Sequence, residues 1–332
     1  MWTIIQQIFP YAIVFTIPLL ITALGGLFSE RSGVVNIGLE GLMVIGAFSS
    51  ALSIYSLQQT YPNQTWVLWV GLLAAMVAGI LFSLLHAFAS INLSANQIIS
   101  GTAINLIASA LTVFLARNIT GSGNIRLTSG FSPMDIPVLS SIPVIGNLFF
   151  TKTYPTTWFI LLVLVVSTFI LYKTKYGLRL RACGEYPQAA EAAGVNVRGI
   201  RYSGVIISGA FAGLGGALII VTYAGEFTGT VSGLGFLALA ALIFGQWRPY
   251  GVLGATFFFG FASTIANVSQ VIPEFAVIPP IILKTFPYVV TLIALVAFSK
   301  SSQAPKAAGN HLIQLNDNEH ENPPNLEDFF IL

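Results

Sequence analysis

Apolar residues run along most of this chain in long blocks rather than in alternation. The blocks predict membrane-spanning helices near 5–27, 34–57, 66–90, 97–117, 156–173, 203–223, 231–246, 250–268 and 279–298, because roughly 20 consecutive apolar residues cross a bilayer as a helix. That makes about nine spans. The block at 231–246 is short for a full crossing, the pattern of a re-entrant or broken segment. A membrane β-barrel would show alternating strands of about ten residues, and these blocks do not alternate. The expected fold class is all-α, a polytopic transmembrane helical bundle over 1–300. Two longer polar connections interrupt it, at 118–155 and 174–202, and a polar stretch follows over 301–332.

Composition agrees with the pattern. Of 332 residues, 55% are hydrophobic and 8% charged, whereas a soluble domain is about a quarter charged. The net charge of +2 says less than where the charges sit. With 174–202 taken as cytoplasmic and the chain alternating sides, Arg31, Lys173, Lys175, Arg179, Arg181, Arg198, Arg201, Arg248, Lys300 and Lys306 fall inside. Only Arg117, Arg126 and Lys152 fall outside, and Lys284 lies within the last span. By the positive-inside rule the N-terminus is then outside and the C-terminus cytoplasmic. The first block lacks a basic n-region and a small-residue cleavage site, so it is expected to be retained as a span. The lone cysteine, Cys183, excludes an intramolecular disulfide and speaks against a cysteine-based metal site. The tail, with Asp317, Glu319, Glu321, Glu327 and Asp328, is expected to be disordered and cytoplasmic; its His311 and His320 are too far apart to argue for a metal.

Polar residues inside apolar blocks are the candidates for chemistry, because they are costly there and usually face a cavity or a partner. In Ser32–Met43, Asn36 and Glu40 are four residues apart and would share a face if the segment is helical. Gly33, Gly38 and Gly41 allow close backbone approach or a break. Further on, Gln97, Gly101 and Asn105 recur at four-residue spacing, with Ser109 and Thr112 roughly continuing that face. Asn36, Glu40, Gln97 and Asn105 are the candidate lining of a transport path. Interhelical hydrogen bonding that fixes the bundle, or for Glu40 the bracing of a broken helix, remains open. His86, alone in its block, reads as hydrogen-bonded within the bundle.

The 174–202 connection carries Gly184-Glu185-Tyr186-Pro187-Gln188-Ala189-Ala190-Glu191-Ala192-Ala193-Gly194. Pro187 suits the first position of a helix, Glu185 its positive end, and Gly194 its stop. A helix of about two turns, small on its surface, is expected there. It suits a groove on another protein or serves as a solvated connector. From Ser203 the spans are rich in small residues, beginning with Gly209, Gly213, Gly215 and Gly216, which allow close helix packing or broken helices. No G-x-x-x-x-G-K-[ST] segment is present, so the chain has no phosphate-binding loop of its own. No hydrolytic residue set appears either, and no enzyme activity or metal site is expected.

These segments together resemble the permeases of the branched-chain amino acid, simple-sugar and nucleoside ABC importers. The resemblance runs from the first span to about Lys300 and is carried by Ser32–Gly46, Gly184–Asn196 and Ser208–Gly254. It implies a type II importer permease fold with two halves related by an inverted repeat. The Gly184–Asn196 loop resembles the coupling helix that docks in an ATPase cleft, which implies that Glu185, Pro187, Ala190, Glu191 and Gly194 serve ATPase coupling. Asn36-Ile37-Gly38-Leu39-Glu40-Gly41 resembles the nucleoside-type subgroup. That likeness implies uptake of nucleosides through a bacterial cell membrane, with four kinds of partner: an ATPase subunit that binds the ATP, a second homologous permease chain, an extracytoplasmic substrate-binding lipoprotein, and the lipid bilayer. No cofactor is implied in this chain and no nucleic-acid partner. Many relatives carry an additional N-terminal span, and this chain is expected to start later. The acidic tail departs from the family pattern. The alternatives are a sugar or branched-chain amino acid importer of the same family, or an ion-coupled secondary transporter.

Overall fold

The computed structural model describes residues 2–268, 282, 285, 289, 293 and 304–309. The ninth expected span, 279–298, and the tail beyond 309 therefore lie outside the described stretches, apart from four isolated positions. Ten helices occur among the described residues: α1 (Trp2–Arg31), α2 (Leu39–Gln58), α3 (Thr65–Ala87), α4 (Gln97–Thr120), α5 (Pro155–Lys173), α6 (Lys175–Glu185), α7 (Pro187–Ala192), α8 (Val197–Ile219), α9 (Leu234–Phe244) and α10 (Pro249–Val268). Among the described residues, six helical stretches are long and apolar enough to cross a membrane: Ile8–Arg31, Leu39–Gln58, Thr65–Asn92, Gln97–Thr120, Pro155–Lys173 and Val197–Ala224. The all-helical expectation holds.

The bundle is organised around α8, which packs against α1, α2 and α3. Its small residues are what permit this. Gly209 lies against Gly79 of α3, Gly213 against Gly46 of α2 and Ala75 of α3, and Gly216 against the backbone of Met43. A Cβ at any of these positions would collide with neighbouring backbone, so the glycine run of this span is close-packing glycine. α4 and α5 lie outside this core, and their outer faces are lined by exposed apolar residues such as Ile99, Leu106, Phe114, Leu162 and Phe169. In a lipid-spanning bundle such faces meet acyl chains or another chain rather than water.

Two short strands, β1 (Ile125–Arg126) and β2 (Glu226–Phe227), pair antiparallel and join the 121–154 connection to the end of α8. Gln58, the last residue of α2, fastens the same connection, donating to the Ser129 carbonyl and accepting from Thr128 N. At the opposite end of the bundle lie Arg31, α6, α7 and the start of α8.

Two expectations change. The block expected to be helical from 34 is not helical until Leu39: α1 ends at Arg31, Gly33 adopts φ +95°, and residues 34–36 form no regular structure. Asn36 and Glu40 therefore do not share a helix face. The short block at 231–246 is the eleven-residue α9. At 1.5 Å per residue it is about 16 Å long, about half of a bilayer's roughly 30 Å hydrocarbon core.

Candidate functional site

Ser32–Gly38, the break between α1 and α2, lies inside the bundle, where backbone groups have no water to bind and need protein partners. Side chains from α1, α3 and α4, and Asn36 within the break itself, supply them. Gln97 Oε1, at the start of α4, accepts from Val35 N at 2.7 Å. Asn105, two turns on along the same face, donates to the Ile37 carbonyl at 3.1 Å and accepts from Gly41 N at 2.7 Å. His86 of α3 bridges the Val35 carbonyl and Ser100 Oγ, each at 3.0 Å. Asn36 folds back to accept from Gly38 N and donates to Ser208 Oγ of α8 at 2.9 Å. Ser29 Oγ donates to the Val34 carbonyl.

The helices come close enough for these short side chains because of Gly38, Gly41 and Gly101. A Cβ on Gly41 would lie 2.8 Å from the Ile104 carbonyl oxygen, and one on Gly101 would lie 2.9 Å from Gly38 N. The buried stripe of α4 runs through Gln97, Gly101, Ile104, Ala108 and Thr112; Ser109, expected to continue it, is exposed. Local backbone helps at the start of α4, where Asn96 caps the helix by accepting from Ile98 N and Ile99 N.

Glu40, in the first turn of α2, is buried (9% exposed). Its Oε1 accepts from Gly233 N at 2.9 Å and its Oε2 from Gly235 N at 2.7 Å. Gly233 sits at φ +78° immediately before α9. A carboxylate thus caps the positive end of a half-length helix from a different helix, satisfying donors that no side chain of α9 satisfies. Gly235 is required by contact: a Cβ there would strike the Glu40 backbone.

The four candidate lining residues are thereby brought together at one place, around the break and the start of α9. Each spends hydrogen bonds on backbone freed by those interruptions.

The 174–202 connection forms two helices. Thr174 caps α6 by accepting from Gly177 N, and Asn196 caps α8 by accepting from Gly199 N. Pro187 takes the first position of α7, and Gly194, at φ +77°, follows its end, as expected. One face of α7 is buried through Pro187 and Ala190, the latter packed with Cys183 and Val197. The other face, with Gln188, Ala189, Glu191 and Ala192, is exposed. Burial pushes the Cys183 thiol up from its usual range, with the nearby Arg201 guanidinium pulling the other way. Glu185, expected at the positive end of α7, instead ends α6 and pairs with Arg31 at 3.5 Å.

Three residues of this end have no counterpart among the candidates. Glu30 accepts from the Trp247 indole N–H, and Arg31 donates to the Trp247 carbonyl through Nε at 3.1 Å and Nη2 at 2.9 Å. The signal in the sequence is slight: a Glu-Arg pair closing one apolar block, and Gln246-Trp247-Arg248 separating two others.

Residues 8–295 match the model of the branched-chain amino acid transport system permease component. This chain belongs to that permease family. It is 47% identical over 308 residues to the guanosine ABC transporter permease protein NupQ of Bacillus subtilis, covering 92% of this chain and 96% of that one. It is 42% identical to the nucleoside ABC transporter permease protein NupC of Lactococcus lactis, covering 93% and 98%. A second Bacillus subtilis protein, the guanosine ABC transporter permease protein NupP, is 27% identical over 77% of this chain and 70% of its own length. Among solved structures, a metal-chelate type ABC transporter in an inward-facing conformation matches with a TM-score of 0.50 at 15% identity, over 88% of this chain and 85% of that one; it shares the fold. As an ABC permease subunit the chain is a multi-pass membrane protein and is not itself catalytic. ATP is handled by the partner ATPase of such a transporter, and the permease needs no cofactor.

Proposed function

We propose that this chain forms the translocation route for nucleosides in an ATP-driven importer of the bacterial cell membrane. The observation that carries this reading is near-full-length similarity, above 40% identity, to nucleoside permeases of two different bacteria. In this reading the chain pairs with a second, more distant permease, as the similarity to both NupQ and NupP supports. The exposed apolar faces of α4 and α5 meet such a chain as well as lipid. An extracytoplasmic binding lipoprotein delivers the solute to the β1–β2 end. The basic end, with Arg31, Arg181, Arg198 and Arg248, faces the cytoplasm, which puts the N-terminus outside and the C-terminus inside.

The exposed face of α7 docks on the ATPase, with Glu191 at the contact and Pro187, Ala190 and Gly194 fixing the shape of the helix. Asn36, Glu40, Gln97 and Asn105 border the route. They hold the backbone of Ser32–Gly38 and the start of α9 in the conformation that the solute meets. Interrupted helices that meet inside a bundle are the usual way a transporter presents polar backbone to its cargo.

The test is uptake of labelled guanosine by cells carrying the complete operon, with and without this gene. A third strain carries Glu191→Lys. Deletion is expected to abolish uptake, and the Glu191→Lys chain is expected to be inserted but inactive. Uptake of guanosine that survives deletion while uptake of a sugar or an amino acid is lost overturns the nucleoside assignment.

A further inference from the structure

The Arg31 guanidinium uses all three of its nitrogens, and it uses them on two different elements. Nε and Nη2 converge on the Trp247 carbonyl, at 3.1 and 2.9 Å, and Nη1 reaches Glu185 Oε1 at 3.5 Å. Glu185 is the last residue of α6, two positions before α7 begins. Trp247 lies in the turn between α9 and α10. α9 in turn is the helix whose opposite end is held by Glu40.

Backbone packing makes the same junction tight. Gly184 lies directly against the Arg31 carbonyl, where any Cβ would collide. The turn at Trp247 is equally constrained: Gln246 and Trp247 are consecutive non-glycine residues at φ +53° and +50°. Left-handed backbone at bulky residues persists only where the surroundings over-determine it. Here Glu30 takes the Trp247 indole N–H while Arg31 takes its carbonyl, so the turn is gripped from side chain and backbone at once. Ala307, in the stretch 304–309, donates to the Gly184 carbonyl at 2.9 Å and closes the junction from the other side.

We infer that Arg31 is a positioning residue that links the coupling segment to α9, so that displacement of α7 moves the α9–α10 turn rather than being absorbed in the loop. The inference rests on the reading of α7 as the ATPase-docking helix. A planar fork can hold a carbonyl and a carboxylate in fixed relation to each other; an ammonium holds charge but not that geometry. The motion then has a continuous course through rigid pieces. It runs from α7 to Glu185 and Arg31, to the Trp247 turn, along α9, and to the Glu40 carboxylate at the start of α2.

The experiment uses the complete transporter in proteoliposomes: this chain with its ATPase, second permease and binding protein. The quantity read is labelled guanosine moved per ATP hydrolysed, for Arg31→Lys, Glu185→Gln and the double variant. Arg31→Lys is expected to assemble normally, keep ATP hydrolysis within about twofold, and lower the ratio at least fivefold. The double variant is expected to fall no further than Arg31→Lys, because both changes open one contact. A purely structural role would lower assembly, hydrolysis and uptake together and leave the ratio unchanged, and that result overturns the inference. So does a double variant whose loss is the product of the two single losses.

A parallel arm places a cysteine at exposed Gln188 on α7 and cross-links it to the ATPase with a thiol–amine reagent. A cross-link with an unchanged ratio in Arg31→Lys removes this inference alone. Absence of the cross-link removes the docking reading, and the inference with it.

Discussion

The two ends of α9 are held in opposite electrical senses and to different purposes. At the start, where amide N–H groups project, the Glu40 carboxylate accepts from Gly233 and Gly235. Beyond the end, in the turn before α10, the Arg31 guanidinium donates to the Trp247 carbonyl. The carboxylate complements the positive end of the helix dipole. The two ends differ in what else the charged group touches. Glu40 is buried and makes its hydrogen bonds to α9, so it fixes one end. Arg31 shares itself with Glu185 and so ties the other end to the end of α6. A half-length helix, too short to be anchored by crossing a bilayer alone, is thus held by the residues that flank the break between α1 and α2.

The largest effect is expected from breaking the fixed end. Glu40→Ala leaves two buried N–H groups without an acceptor. Hydrogen bonds to a charged group are worth about 1.5–3 kcal/mol each, so a marked drop in the thermal midpoint of the purified chain and loss of nearly all uptake are expected. Gly235→Ala attacks the same contact from the other side by driving a Cβ into the Glu40 backbone. Overpacking of this kind costs about 1–3 kcal/mol, and uptake is expected to fall several-fold.

A smaller loss follows at the break itself. Asn105→Leu removes two hydrogen bonds to backbone and leaves Gly41 N and the Ile37 carbonyl unpaired. Gln97→Leu removes one, at Val35 N. The first is expected to lower the midpoint about twice as far as the second, since each buried group left unsatisfied costs about 1–3 kcal/mol. Equal effects would mean that the break does not depend on the count of bonds.

The smallest effect concerns reactivity. Cys183 has no accessible surface and burial also disfavours its thiolate, so maleimide labelling at neutral pH is expected to be slow and to quicken as pH rises. A cysteine placed at exposed Gln188 is expected to label at the ordinary rate.

What the sequence disclosed follows the range of the forces involved. α7 was legible because Pro187 and Gly194 set its ends through their own backbone preferences. The face of α4 bearing Gln97, Gly101 and Asn105 was legible because a helix imposes its period locally. The break at Ser32–Gly38 was not. Hydropathy registers the apolar Val34, Val35 and Ile37 and is blind to where their backbone hydrogen bonds go. Apart from Ser29 just upstream, those partners sit on α3 and α4, far along the chain, and Ser208 of α8, which meets the Asn36 side chain, looks like one more small residue in a glycine-rich run. The junction of Arg31 with Trp247 and Glu185 joins three distant positions with no spacing in common, and it emerges only when the helices are packed. Glu40 lay between the two cases: its cost in an apolar block marked it, while its partners, the amides of Gly233 and Gly235, are far along the chain and meet it only in the folded bundle.

The most direct test of the central claim, that the Glu40 carboxylate holds the start of α9, is hydrogen–deuterium exchange over residues 233–236 in the assembled transporter. Wild type is compared with Glu40→Gln, which keeps the shape of the side chain, discards its charge and replaces one acceptor oxygen with an NH2 donor. Loss of about 1.5–3 kcal/mol of protection corresponds to roughly a ten- to hundred-fold faster exchange of the Gly233 and Gly235 amides, and that is the predicted result. Exchange at the wild-type rate in the variant would contradict the account.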